Sequence, residues 1–96
     1  MGDKRDAYIE QIKARLDEAN AEIDKLEAKA EQTSDELRDQ YNAQLQRLRE
    51  RRNELHRNLA QVQRASEQAW GDLKAGIQIS LDALGEAVKS ARSRFG

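Results

Sequence analysis

Between Asp3 and Trp70 the chain has no proline and no glycine, and an apolar residue returns every three or four positions. Ile9, Ile12, Leu16, Ala19, Ile23, Leu26, Ala30, Thr33 and Leu37 follow a strict alternation of threes and fours. That is the heptad of a helix that packs along one seam. Leu37, Tyr41, Leu45 and Leu48 are then spaced four, four and three, an eleven-residue stutter that relaxes a left-handed supercoil. The heptad resumes through Leu48, Arg52, Leu55, Leu59, Val62, Ser66, Ala69 and Leu73, with Arg52 and Ser66 as weak seam residues. From Leu73 the stripe runs through Ile77, Leu81, Leu84, Val88, Ala91 and Phe95, again opening four-four-three. The pattern predicts an all-α chain: a long helix over 4–69 and a C-terminal amphipathic helix over 72–94.

Two places interrupt the rhythm. Gly71, Gly76 and Gly85 fall in the last segment, and each costs about 1 kcal/mol against alanine in a helix interior. Gly71 is the expected hinge, with Asp72 suited to the first turn of a new helix; a continuous but weakened helix is the alternative. The second place is Thr33-Ser34-Asp35-Glu36, where Thr33 and Glu36 match a capping box. With no glycine or proline nearby, the favoured reading there is an uninterrupted helix. Fully extended, such a helix reaches on the order of 140 Å at 1.5 Å per residue.

Composition bears on what the stripe packs against. The chain has 96 residues, 38% apolar and 36% charged, with one Trp, one Phe and two Tyr. That is one small domain at most, and a thin supply for a compact monomeric core. The expectation is therefore a coiled coil or helical bundle formed between copies. Its oligomer seam is Ile9, Ile12, Leu16, Ile23, Leu26, Leu37, Tyr41, Leu45, Leu48, Leu55, Leu59, Val62, Leu73 and Ile77. No cysteine is present, so there is no disulfide framework and no thiolate metal site. The first residues, Met1 to Asp6, carry no apolar stretch, and no run approaches the roughly 20 apolar residues of a membrane span. The expected compartment is the cytoplasm.

Charge adds an orientation. Residues 1–36 hold eleven acids and six bases, while residues 37–70 hold four acids and seven bases. Like charges face each other at i, i+4, as in Glu18 with Glu22, Glu27 with Glu31, and Arg47 with Arg51. Such pairs cost a few tenths of a kcal/mol each unless another helix supplies the complement. An antiparallel partner sets the acidic third against the basic middle. An antiparallel homo-oligomer is preferred to a hairpin turning near Thr33–Glu36, because the turn lacks breakers.

Candidate chemistry is sparse. Arg47, Arg49, Arg51 and Arg52 form the densest basic cluster, but with no interleaved aromatics or DNA-reading motif, nucleic-acid binding is not expected. Glu18, Glu22, Asp24, Glu27 and Glu31 lack the paired Glu-x-x-His of bundle metal sites, and the single His56 follows Arg52. No nucleophile–base pair or phosphate loop is visible, so neither catalysis nor a cofactor is expected. Trp70, Leu81, Leu84, Val88 and Phe95 form a stripe for a partner helix or, with Lys74, Lys89, Arg92 and Arg94, for an anionic membrane surface.

Tyr8-Ile9-Glu10, Leu16-Asp17-Glu18, the block Asn20–Ala30, Ala65-Ser66, Trp70, the block Asp72–Gly76 and the ending Arg94-Phe95 carry a resemblance across most of the chain. The sequence resembles short bacterial coiled-coil proteins described as stress-response or salt-stress-associated. Gly71 stands where those proteins tend to carry an acid, and Leu81 lies near where they often have a second aromatic. The resemblance implies a cytoplasmic bacterial accessory protein without catalytic residues.

Overall fold

A computed structural model describes residues 3–95; Met1, Gly2 and Gly96, and the side chains of Asp3 and Phe95, lie outside the described residues. Three helices of nearly equal length follow one another: α1 (Asp3–Gln32), α2 (Asp35–Arg64) and α3 (Glu67–Phe95). The expected 4–69 helix is thus cut at Thr33–Ser34, and its second half ends at Arg64. The expected hinge at Gly71 lies inside α3, and the break falls at Ala65–Ser66.

Capping explains both breaks. Ser34 has extended backbone angles (φ −70, ψ 160) and its hydroxyl accepts from the Leu37 amide at 3.4 Å. Ser34, rather than Thr33, is therefore the cap. Ser66 repeats the device: its hydroxyl accepts from the Ala69 amide at 3.2 Å. An acid opens the helix after each serine, Asp35 and Glu67, where it meets the positive end of the helix dipole. No residue in either turn needs a positive φ, which is why neither carries glycine.

An arginine completes each turn. Arg38 donates from Nε to the Ala30 carbonyl at 3.3 Å and from Nη2 to the Thr33 carbonyl at 3.4 Å, and pairs with Asp35 at 3.0 Å. Arg5, reaching across from the start of α1, donates to the Ala65 carbonyl at 2.8 Å and approaches Glu67 at 3.7 Å. Carbonyls that a helix C-terminus leaves without partners are satisfied in this way.

The helices run up, down and up. Cross-links between Arg49 and Glu27 and between Arg52 and Asn20 (2.9 Å) fix α2 antiparallel to α1. Asn58 and Glu54 bond to Ser80, while the earlier Arg47 and Arg51 lie beside the later Ala83, Glu86, Ala87 and Ser90, so α3 runs antiparallel to α2. Tyr8 with Gln78, and Glu22 with Arg92, each join residues seventy positions apart, so α3 runs parallel to α1. The body measures 52 × 19 × 17 Å, one helix long rather than the extended rod.

The three stripes close on one another within a single chain. Tyr8, Ile12, Leu16, Ala19, Ile23, Leu26 and Ala30 of α1 are buried against Leu45, Leu48, Leu55, Leu59 and Val62 of α2. Trp70, Ile77, Leu81, Leu84, Val88 and Ala91 of α3 complete the core. The scarce apolar supply suffices because almost every heptad position is spent on the shared axis. The charge dipole acts inside the chain as well, its acidic α1 lying against its arginine-rich α2.

Gly71 and Gly76 sit inside α3, and beyond the local helix backbone no atom lies within 4 Å of where a Cβ would stand. Gly71→Ala and Gly76→Ala are each expected to raise stability by about 1 kcal/mol, measured by thermal or urea unfolding. A lower melting point for Gly71→Ala would mean that α3 bends there.

Candidate interaction surfaces

The sequence-predicted seam sorts into two groups. Ile12, Leu16, Ile23, Leu26, Leu45, Leu48, Leu55, Leu59, Val62 and Ile77 are core residues, and Ile9, Tyr41 and Leu73 are partly buried against them. Leu37 departs from the seam: it is 45% exposed, because the turn at Ser34 resets the helix phase just before it. Tyr8, one position before Ile9, takes the buried place at the start of α1.

Trp70, Leu81, Leu84 and Val88 also face inward. These four residues of the stripe expected to meet a partner helix or a membrane pack in the bundle's own core, while the side chain of Phe95 lies outside the described residues. No helix among the described residues is long and apolar enough to cross a membrane. Among the described residues, the exposed large apolar ones are Leu37 and, at 70% exposure, Ile79.

Several polar side chains are held in the bundle by specific partners. Tyr8 and Trp70 pack with ring centroids 5.9 Å apart, tilted by 53°. The Lys74 ammonium stands 5.8 Å from the Tyr8 ring centre and 5.6 Å from that of Trp70, a cation–π bridge across both. The Tyr8 hydroxyl donates to Gln78 Oε1 at 2.9 Å. Burial raises the Tyr8 phenol above its ordinary value of 10.0, and the Asp82 carboxylate adds to the effect.

Glu22 is the buried acid of α1, and Arg92 Nε reaches its Oε2 at 3.3 Å from a side chain 53% exposed. The like-charge neighbours of the sequence thereby part. Glu22 turns to α3, Glu18 meets Arg15 at 3.4 Å, and Glu27 meets Arg49. Ser80, also buried, accepts from Asn58 at 2.7 Å and donates to Glu54 at 3.0 Å.

The arginine cluster of α2 is divided in the same way. Arg49 and Arg52 bind α1, while Arg47 and Arg51 border a cleft with Ala83, Glu86, Ala87 and Ser90 of α3. A continuous phosphate-reading face is therefore broken up. His56 is exposed, and among the described residues no three His, Cys, Asp or Glu side chains gather as a metal site. Two larger clefts lie along the bundle. One, of about 530 Å³, flanks the α1–α2 turn beside Glu27, Glu31, Arg38 and Asn42. The other, of about 450 Å³, separates α1 from the end of α3.

The sequence pattern did not mark Ser66 as a cap, Tyr8 as a core residue, or Arg5 and Glu22 as partners of other helices. A signal for the first was present: Ser34-Asp35 and Ser66-Glu67 repeat a serine–acid pair one helix length apart. Nothing local marks Arg5 or Glu22, since their partners lie in other helices.

Two outcomes follow from these contacts. Arg92→Ala strands the Glu22 carboxylate and is expected to cost about 1–3 kcal/mol in urea unfolding, with Glu22→Gln costing less. Because folding favours the neutral Tyr8 phenol, its contribution to stability is complete below pH 10 and is lost as the pH rises through the raised value. The parent chain should therefore lose urea resistance above pH 10 more steeply than Tyr8→Phe, by far-UV circular dichroism.

No curated protein and no solved structure matches the chain. A family described as vesicle transport v-SNARE protein N-terminus matches residues 1–63, which cover α1 and all but the last residue of α2. An all-α body whose first two helices form that hairpin is a helical domain of the protein-interaction type, and the chain belongs to the vesicle transport v-SNARE N-terminal family.

Proposed function

We propose that the chain is a non-enzymatic helical module that binds protein, and that its partner is a second copy docked antiparallel on the end of the α1–α2 hairpin. Leu37 carries this reading. It is a large apolar residue left 45% exposed beside the half-buried Tyr41. A cleft at the same end of the bundle mixes Glu27 and Glu31 with Arg38 and Arg49. A patch holding both signs can complement itself across a two-fold axis, acid of one copy to arginine of the other.

The family to which the chain belongs supports a protein partner. The resemblance of Asn20–Ala30 and Trp70–Gly76 to bacterial stress-response coiled-coil proteins supports a stress-response setting. A cytoplasmic site of action agrees with a chain that relies on no disulfide.

Size-exclusion chromatography with light scattering tests the reading. The parent chain is expected at twice its 11.0 kDa mass at high concentration. Leu37→Asp is expected to be monomeric with an unchanged melting point, because the side chain lies outside the core. A parent chain that stays monomeric at every concentration overturns self-docking.

A further inference from the structure

We propose that the cleft between α1 and the end of α3 binds a phosphoryl anion, either free or carried on a lipid headgroup. It has a volume of about 450 Å³ and brings Arg15 of α1 together with Lys89, Arg92 and Ser93 of α3. These residues and those of the hairpin end are separate sets, so this site stands independently of the self-docking surface.

Arg15 reaches α3 at Gly85. A Cβ built there would stand 3.7 Å from Arg15 Cζ and 3.8 Å from its Nη1, an ordinary contact distance, so the guanidinium packs over α3 at that residue. Arg15 is poorly committed within the chain. Its Nη1 reaches Glu18 only at 3.4 Å, and its Nε is buried without a hydrogen-bond partner. Arg92 uses Nε on Glu22 and leaves its two terminal nitrogens turned to a half-exposed position. Lys89 is exposed and forms no ion pair within 4.0 Å among the described residues.

The local charges are three cations, Arg15, Lys89 and Arg92, against two carboxylates, Glu18 and Glu22. The excess is positive on a chain of net charge −1, and it is concentrated at one cleft. Planar guanidinium groups from two helices, an ammonium and the Ser93 hydroxyl offer donors from several directions. That suits an anion with several oxygens arranged tetrahedrally better than a planar carboxylate, which one arginine can satisfy alone. The volume also leaves room for the group that carries the phosphoryl.

The test uses amide resonances of the full chain in ¹⁵N–¹H correlation spectra. Two probes are added separately: pyrophosphate, and phosphatidylcholine vesicles with or without phosphatidic acid. Saturable shifts at Gly85, Lys89 and Ser93 with pyrophosphate support a site for a soluble phosphoryl ligand. Loss of those signals only with phosphatidic acid vesicles supports the headgroup source. Lys89→Glu, an exposed change, is expected to weaken the response about tenfold, while Lys25→Glu, the same charge change outside the cleft, leaves it unaltered. No response to either probe overturns the proposal. So does an equal loss in the two variants, which means attraction to charge in general.

Discussion

Two serine caps and the arginines that close them decide the shape of this protein. A stripe of apolar residues running most of a 96-residue chain cannot stay exposed. It must find another stripe, and the turns at Ser34 and Ser66 provide two within reach. Each turn gives up helix propensity over only two residues. Each recovers much of the loss through a serine hydroxyl on a free amide and an arginine on free carbonyls. Arg5 is the more consequential arginine, because it ties the start of α1 to the far turn and so fixes α3 parallel to α1.

With the chain folded in three, the polar residues are sorted by the same geometry. The acids of α1 that repel one another along one helix are drawn to different neighbours: Glu22 to α3, Glu27 to α2, Glu18 to Arg15 on its own helix. Arg49 and Arg52 of α2 are consumed from the other side. Besides Ile79 on the outer face of α3, two local features remain unspent, a leucine at the hairpin end and a basic cleft beside Gly85. Both lie at the margins of the core, where a helix ends or a side chain is missing, and both are left accessible without opening the bundle.

The fold and the surfaces were legible to different degrees. The heptad named Ile12, Leu16, Ile23, Leu26, Leu45, Leu48, Leu55, Leu59 and Val62, and these are core residues because period and burial are the same fact on an amphipathic helix. Leu37 fell outside that rule since a turn shifts the phase without changing the spacing in the sequence. Ser66 looked like a weak seam residue for the same reason: a serine in heptad register reads as seam until its hydroxyl is seen on the Ala69 amide. Gly71 drew attention as a hinge, yet glycine is only permissive, and a helix held by Trp70 and Ile77 in a core has no cause to bend between them.

The sequence by itself determined that the chain is all helix, that one face of each helix is apolar, and that acid and base are segregated along its length. Local spacing and composition suffice for those properties, because each depends on residues within a few turns of one another. The tertiary structure alone decided whether the stripes meet within one chain or between chains, since both satisfy the same periodicity. It also decided which charges are spent and which stay available. That choice rests on residues up to seventy positions apart, such as Glu22 and Arg92, whose meeting no local pattern encodes.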